Sequence, residues 1–240
     1  MLSGDVGTSV LTIAGGLLSS VSEVRFLGSV VSASGSLGGE VEARVRSARA
    51  AFGSLGKGLW RRRDVSLAVK VSVYCSLVRG SLLYACETWC ALRADLHRLG
   101  VFERRCLREL VGASRLDRVS NDELYRRCGL DCRAEEPVTR ARWRWLGHVL
   151  RMGPSRLPRR LLDLDYDSLG CRRPRGGPRR TWRRVVINEA WDAIGSGKRP
   201  CSYDRWVSGR WREWLSRLAT DRQAWREFSS RVEDMSAHSR

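Results

Sequence analysis

The sequence predicts a mainly α-helical protein that begins with a short β-hairpin region and ends in a basic helical tail. Two observations predict this fold class. Apolar residues recur at helical spacing along most of the chain, for example at Val41, Val45, Ala48 and Phe52. Short β-prone runs separated by a glycine turn fall within residues 1–32 and predict two or three strands there.

Local signals place the elements of the first half of the chain. The predicted elements are strands at 10–13 and 24–31 and helices at 41–55, 66–89 and 95–111. Asp64 or Ser66 can cap the second helix, because a short oxygen-bearing side chain satisfies free backbone N–H groups. Gly56 and Gly112 end the first and third helices.

The second half continues with helices and one proline-rich interruption. Ser120 and Glu123 form a capping box that starts a short helix. Pro137 opens a helix that reaches Met152. Residues 153–178 hold four of the six prolines and predict a linker or an extended arm. Further helices are predicted at 182–193 and 204–232, and the last is rich in tryptophan.

The chain carries a formal net charge of +18, and 41 of its 44 basic residues are arginine. Codon bias and the suitability of guanidinium for phosphate both explain the preference for arginine over lysine. Codon bias alone does not explain why the acidic residues are so outnumbered. A basic excess of this size indicates a nucleic-acid partner.

The helix over residues 139–152 has two faces of different chemistry. At 100° per residue, one narrow face carries Arg140, Arg144, His148 and Arg151. These side chains are candidates to contact phosphate. His148 could also act as an acid or base, but a structural role or a weak phosphate contact is favoured, because no acid is near it in sequence. The opposite, apolar arc is expected to join a core.

Three residues of this helix leave alternatives open. Trp143 and Trp145 can belong to the core or stack on nucleobases, and their helical spacing favours the core. Arg142 falls in the middle of the apolar arc. Its guanidinium must therefore extend to solvent, pair with an acid or bind a ligand.

The stretch from Arg172 to Arg184 has seven arginines in thirteen residues and no acid. Its arginines are expected to contact nucleic acid: Arg172, Arg173, Arg175, Arg179, Arg180, Arg183 and Arg184. A Pro/Gly-rich backbone flanked by arginines also suits a narrow minor groove. The favoured interpretation is a flexible basic linker that binds phosphate without reading sequence.

Catalytic and metal-binding patterns are weak. The adjacent acid pairs Asp122-Glu123, Glu135-Glu136 and Glu233-Asp234 do not follow strand-like runs, as the paired carboxylates of a polymerase would. The alternating Asp163, Asp165 and Asp167 favour a solvated loop over a metal site. No phosphate-binding glycine loop or nucleophile elbow occurs.

The eight cysteines are irregularly spaced. Cys128 and Cys132 with His148, or Cys86 and Cys90 with His97, can in principle hold zinc, but neither set shows the two tight pairs of a structural site. Core packing is the preferred interpretation, and whether Cys128, Cys132 and His148 bind zinc stays open. Charged residues interrupt the apolar stretch 65–92, so no membrane span is predicted. The chain is expected to be intracellular, in the nucleus or cytoplasm, with reduced thiols.

Seven blocks of sequence together resemble one protein family. In chain order they are Phe26-Leu-Gly-Ser29, Glu40-Val-Glu-Ala-Arg-Val45, Ser81-Leu-Leu-Tyr-Ala-Cys-Glu-Thr-Trp89, Phe102-Glu-Arg-Arg-Cys-Leu-Arg108, Asn121-Asp-Glu-Leu124, Arg144-Trp-Leu-Gly-His-Val-Leu-Arg-Met152 and Gly177-Pro-Arg-Arg-Thr-Trp182. Their order resembles the C-terminal part of the reverse transcriptase of LINE-type (non-LTR) retrotransposons. The resemblance covers about residues 20–185.

The resemblance implies a division of the chain. Residues 1–33 would be a remnant of the palm strands, 34–112 a thumb-like helical bundle, 113–153 post-thumb helices, 154–180 a Pro/Arg-rich linker and 181–240 C-terminal Trp-rich helices. The family's catalytic Asp-Asp box precedes the Phe-Leu-Gly block, and nothing before Phe26 matches it. The chain alone is therefore expected to be catalytically inactive, as a truncated element copy or a partial gene model. It would need no cofactor, since Mg²⁺ belongs to the palm site.

The expected partner is nucleic acid, as an RNA–DNA or DNA duplex held mostly through phosphates, with no membrane or small-molecule substrate. Besides the arm, the expected contacts are Arg44, Arg104, Arg105, Arg108, Arg140, Arg144, His148 and Arg151. The alternative hypothesis is a domesticated or non-functional basic DNA/RNA-binding protein derived from a retroelement.

Overall fold

The computed structural model describes residues 12–13, 16–17, 19–114, 116–134, 136–164, 181–194 and 210–238. Within these residues the protein is mainly helical, with short antiparallel hairpins near the N-terminus, which confirms the predicted fold class. The helices form two neighbouring apolar cores. No described helix combines the length and the apolar character that crossing a membrane requires.

The N-terminal strands form two separate hairpins. β1 (Thr12–Ile13) pairs with β2 (Gly16–Leu17), and β3 (Glu23–Phe26) pairs with β4 (Ser29–Ser32). The predicted single strand at 24–31 is thus a hairpin, because Leu27 and Gly28 both adopt positive φ, at 47° and 88°. Two-residue hairpin turns favour this conformation, although only glycine adopts it readily.

The hairpin turn is fixed by side chains from the helical part of the molecule. The Tyr84 hydroxyl donates a hydrogen bond to the Leu27 carbonyl oxygen at 3.1 Å, and the Arg44 guanidinium donates one to the Gly28 carbonyl oxygen. Glu40 accepts a hydrogen bond from the Val30 amide at 2.5 Å. These bonds hold the strained Leu27 conformation in place.

The first core lies among the helices of the first half. They are α1 (Gly38–Ser54), α2 (Leu67–Val73), which continues through a π-helical segment (Tyr74–Arg79) into α3 (Gly80–Leu82), α4 (Arg93–Val111) and α5 (Asn121–Arg127). The most deeply buried side chains include Val41, Tyr74, Val78, Leu82, Leu99, Leu107 and Leu124. The caps follow the prediction: Ser66 and Ser120 accept N-terminal hydrogen bonds, and Gly112 is left-handed at the end of α4.

The predicted second helix was too long, because the chain leaves the helix after Leu82. Ala85 adopts a left-handed conformation with φ 57°, and a 3₁₀ turn (Cys86–Thr88) follows. The buried Trp89 is extended. The carbonyl oxygens of Glu87 in this turn and of Trp89 accept hydrogen bonds from the C-terminal half of the chain.

Glu103 joins α4, α5 and the segment that leads to α6. Its carboxylate is fully buried and accepts hydrogen bonds from the Tyr125 hydroxyl and the Ala134 amide, each at 2.6 Å. Arg79 forms an ion pair with it at 3.0 Å. A buried carboxylate requires such compensation, because its desolvation is costly.

The second core lies among the helices of the second half. They are α6 (Glu136–Leu150), α7 (Leu157–Asp163), α8 (Trp182–Ile194), α9 (Arg210–Thr220) and α10 (Arg222–His238). Its most deeply buried side chains include Trp143, Leu146, Val186, Leu215, Ala219 and Val232.

Two predictions in this half need correction. The range predicted as a proline-rich linker contains α7, whose Leu162 is buried in the second core. The single predicted helix at 204–232 is two helices over its described part, α9 and α10. They separate at Asp221, whose carboxylate accepts hydrogen bonds from the Gln223 and Ala224 amides at 2.8 and 3.2 Å and so caps α10.

Candidate nucleic-acid interface

The outer face of α6 is cationic, as its periodicity predicts. Arg140, Arg144 and His148 are exposed on successive turns, and Arg151 is exposed just after the helix ends. The opposite arc contributes Trp143, Leu146 and Val149 to the second core. The predicted amphipathic arrangement of this helix is therefore confirmed.

Trp143 is a core residue and is inaccessible to a nucleobase. It is fully buried, and its indole N–H donates a hydrogen bond to Glu189 Oε2 at 2.9 Å. Its ring centroid lies 5.5 Å from those of Trp225 and Phe228, within the usual range for aromatic pairs. Trp145 is only half-buried at the edge of the second core.

The sequence left three possibilities for the Arg142 guanidinium: extension to solvent, an acidic partner or a ligand. In the structure Arg142 pairs with an acid. Its guanidinium is buried, forms an ion pair with Glu189 of α8 and donates a hydrogen bond to the Trp89 carbonyl oxygen at 3.1 Å. Trp182 strengthens the same junction, because its indole N–H donates to the Glu87 carbonyl oxygen at 2.7 Å. Trp182 therefore links the helices of the second core to the Cys86–Thr88 turn, and Arg142 links them to Trp89 directly after it.

Gly147 allows α10 to approach α6 closely. A methyl group at this position would lie 2.7 Å from Cε2 of Trp225 and nearer still to its Nε1. The Trp225 indole packs over the α6 backbone at this point and donates a hydrogen bond to the Trp143 carbonyl oxygen at 3.2 Å. Gly147 is thus required by the helix packing.

Contacts at both ends show that α10 runs antiparallel to α6. Near the start of α6, Arg140 forms an ion pair with Glu233 at 2.7 Å. Beyond its end, burial and then the positive charge of Arg222 lower the pKa of Arg151, which places Arg222 close to it. The guanidinium of Arg151 stays charged at neutral pH, since arginine is not deprotonated in proteins.

The antiparallel alignment adds two arginines to the α6 face. Arg222, Arg226, Ser229 and Glu233 are spaced by four, three and four residues, so they form one stripe along α10. Because Glu233 meets Arg140 and Arg222 lies near Arg151, this stripe borders the cationic face. Arg222 and Arg226 are exposed. The sequence singles out neither residue, because nothing local indicates which side of α10 borders α6.

On the surface formed by α6 and α10, only some of the arginines have an acidic partner. Arg140 is paired with Glu233, and this hydrogen bond raises the pKa of Arg140. Arg151 donates to the Ala219 carbonyl oxygen at 3.1 Å, which neutralises no charge. Within the described part of the chain, the side chains of Arg144, Arg151, Arg222 and Arg226 form no ion pair. We call these four residues and His148 the α6–α10 surface.

The predicted α4 arginines differ in accessibility. Arg105 is exposed, whereas Arg104 and Arg108 are half-buried. Arg108 donates a hydrogen bond to Asn121 Oδ1 at 2.9 Å and so connects α4 to α5. Arg105 is the α4 candidate that projects most freely from the first core.

Arg44 has a structural position that argues against its predicted phosphate contact. Only 7% of its surface is exposed, and it pairs with Glu40 at 2.7 Å. Its guanidinium also lies 4.8 Å from the Tyr84 ring centroid. It projects toward the hairpin because it follows Val41 by three residues on the inner face of α1.

Arg183 is likewise placed inside the protein. It is 4% exposed and donates a hydrogen bond to the Leu162 carbonyl oxygen at 3.2 Å, which joins α8 to α7. Arg184 is half-buried at the start of α8, where its backbone amide donates to Thr181 Oγ1 at 3.3 Å. The other predicted arm contacts lie outside the described residues: Arg172, Arg173, Arg175, Arg179 and Arg180.

The described cysteines do not form a metal site. No group of three histidine, cysteine or acidic side chains in the described part of the chain is placed to hold a metal ion. Burial raises the pKa of the Cys86 thiol to about 12 and that of Cys128 to about 11. Thiols of this kind stay protonated and act as small apolar side chains, whereas metal binding requires the thiolate.

Both acids of the Asp122-Glu123 pair are engaged with arginines. Glu123 accepts hydrogen bonds from Arg126 and Arg127, and these lower its pKa to about 2. Asp122 pairs with Arg133 at 2.5 Å. Of the three alternating aspartates, Asp165 and Asp167 lie outside the described residues.

Comparisons with protein-family models, with curated proteins and with solved structures found no match to this chain.

Proposed function

We propose that this protein binds nucleic acid through the α6–α10 surface, mainly by contacts to phosphate. The observation that carries the proposal is the set of four guanidiniums that lack an ion-pair partner within the described residues. Single exposed cations are common on protein surfaces. Several cations that lie on one face and have no acidic partner form a site for a polyanion.

The dimensions of the surface suit this partner. Arg144 and Arg151 are seven residues apart, which corresponds to about 10 Å along a helix axis. One strand of a duplex carries a phosphate about every 3.4 Å of its axis, so this distance covers about three phosphates. Arg222 and Arg226 would widen the contact along a neighbouring helix. Arginine is suited to the task, because its planar fork donates two parallel hydrogen bonds to phosphate.

We further propose that the chain is the C-terminal part of a non-LTR retrotransposon reverse transcriptase. The support is the order of the seven sequence blocks, together with contacts between blocks that are distant in sequence. Trp182 of the last block donates to Glu87 of the Leu-Leu-Tyr block, and Tyr84 of that block donates to Leu27 of the first. The blocks would thus be parts of one structural unit that holds template and primer.

Salt-dependent binding tests the proposed surface. We would measure the affinity of the protein for an RNA–DNA hybrid with a single-stranded overhang by fluorescence anisotropy across a salt series. Each phosphate contact contributes a slope of about −0.9 in log K against log salt. Replacing Arg144, Arg151, Arg222 and Arg226 by Gln should make the slope shallower by about 3 to 4.

A matched variant controls for net charge. Arg46, Arg61, Arg63 and Arg98 are exposed on the first half of the molecule, and their replacement by Gln removes the same charge. This control should retain most of the slope. An equal loss in both variants would mean that net charge alone drives binding. A flat salt dependence in the unmodified protein would reject nucleic-acid binding through phosphate.

A further inference from the structure

We infer that Trp145 and His148 form a stacking site for one unpaired nucleobase at the edge of the α6–α10 surface. This inference rests on the proposed function, since phosphate contacts would bring the strand to the site. It names the ligand more narrowly, as a single-stranded segment of RNA or DNA. A fully paired duplex does not offer a base face to a side chain.

The order of side chains around α6 separates cations from aromatic rings. Relative to Arg144, His148 is rotated by about 40° and Trp145 by about 100° in the same direction. Arg140 and Arg151 lie on the other side of Arg144, toward α10. The exposed arc therefore passes from arginines bordering α10, through His148, to Trp145. A strand that places its phosphates on the arginines can therefore place an unpaired base on the rings, because arginines and rings share one exposed arc.

The two rings are placed to receive a planar ligand. Trp145 is half-buried against the second core, which fixes one part of its indole and leaves the rest accessible. The exposed His148 ring has its centroid 5.5 Å from that of Trp145, with the planes inclined at 44°. The rings are thus in contact without being stacked face to face. His148 is exposed and Trp145 is partly exposed, so the pair keeps aromatic surface at which a base can stack.

Hydrogen-bonding groups at the site are also available. Neither the Trp145 indole N–H nor the His148 ring nitrogens form a hydrogen bond with a described residue. Trp143, by contrast, is fully buried and donates to Glu189, so it belongs to the core. The difference between these two tryptophans, two residues apart on one helix, distinguishes a ligand-facing indole from a structural one.

Strands that lack bases test the inference directly. We would compare a labelled single-stranded oligonucleotide with one of equal length and charge that contains abasic sites, and with a blunt duplex. Loss of one stacked base should weaken binding by about 5- to 150-fold. The unmodified protein should therefore bind the normal strand more tightly than the abasic strand, whereas the blunt duplex, which exposes no base face along its length, reports phosphate contact alone. Equal affinity for the normal and abasic strands would overturn the inference.

Variants assign the effect to the site. Trp145→Leu should lose affinity for the normal strand and leave abasic-strand affinity unchanged. Trp214→Leu is the matched control, because Trp214 is a partly exposed indole on α9 that contacts Phe228 with centroids 5.2 Å apart. An equal loss on both strands, or an equal loss in the control, would refute a stacking role. Circular dichroism would verify folding, and Trp145→Phe, which keeps a ring, should retain most of the binding.

The two proposals fail in different ways. If stacking is wrong but the α6–α10 surface binds nucleic acid, the arginine variants still lose affinity while the abasic strand binds as well as the normal one. If the surface does not bind nucleic acid, the arginine variants match the unmodified protein on every strand.

Discussion

Replacing Gly147 by Ala should destabilise the protein, although alanine is the better helix former. The added methyl group would lie 2.7 Å from Cε2 of Trp225. Ordinary carbon–carbon contact requires about 3.5 Å or more, so the indole must move by roughly 1 Å. Trp225 is 4% exposed and packs against Trp143. Because cores are close-packed, a buried indole cannot move this far without disturbing the side chains of the second core.

The magnitude follows from opposing terms. Overpacking of a core costs about 1–3 kcal/mol, and weakening the hydrogen bond from Trp225 to the Trp143 carbonyl oxygen adds about 1 kcal/mol. The gain in helix propensity returns about 1 kcal/mol. The expected net loss in the free energy of unfolding is about 1–3 kcal/mol, which lowers Tm by several degrees for a chain of this length.

Urea denaturation followed by circular dichroism at the helical minimum measures this effect. Gly53→Ala is the control, because Gly53 also lies in a helix but a methyl group there has nothing within 4 Å. It should be neutral or slightly stabilising. Adding Trp225→Phe should reduce the cost of Gly147→Ala, since a smaller ring removes part of the clash. If Gly147→Ala unfolds at the same urea concentration as the unmodified protein or a higher one, the inferred packing is incorrect.

Three further predictions follow from buried or capping groups. Arg142→Met should lower the free energy of unfolding by about 3 kcal/mol, measured by urea titration, because Glu189 loses its buried counter-ion. Ser120→Ala should cost about 1 kcal/mol in the same assay, because the Glu123 amide loses its acceptor. Cys106 and Cys128, with pKa values of about 12 and about 11, should resist iodoacetamide at pH 8 in site-resolved mass spectrometry.

Each of these has a result that contradicts it. A Glu189→Gln/Arg142→Met double variant should be more stable than Arg142→Met alone, and failure to recover stability would argue against the ion pair. Ser120→Thr retains a hydroxyl and should be nearly neutral, so a loss equal to that of alanine would exclude capping. Alkylation of Cys106 at the rate of a free thiol would show that it is not held in the core.

The features that the sequence predicted best are those that depend on residues close together along the chain. The Ser120 cap, the left-handed Gly112 and the two faces of α6 all follow from residues within one or two helical turns. Nearby residues along the chain also predicted that the charge of Arg142 needs compensation. A guanidinium in an apolar arc needs compensation, although the sequence did not identify Glu189, 47 residues away, as its partner.

The sequence was least informative where tertiary contacts override local pattern. Arg44 has the appearance of a surface cation, but the hairpin folds over it and its guanidinium bonds to a turn carbonyl. Arg183 sits in an arginine-rich stretch and nevertheless joins two helices. The opposite case concerns Arg222 and Arg226, which no sequence pattern singles out and which border the cationic face of α6 because α10 packs beside α6. Gly147 belongs to one of the sequence blocks described above. The sequence did not indicate why glycine is needed there, which is the close approach of the Trp225 indole.

Because α6 contributes side chains to both cores, the unfolding of one core is coupled to that of the other. Val138 lies in the first core, whereas Leu146 and Leu150 lie in the second, and Arg142 is bonded to both sides between them. Helical hydrogen bonds are cooperative, so losing either core would destabilise the turns that serve the other. The two halves should therefore exchange amide hydrogens as one coupled unit, with the middle of α6 protected longest. We therefore expect limited proteolysis of the folded protein not to cleave within α6.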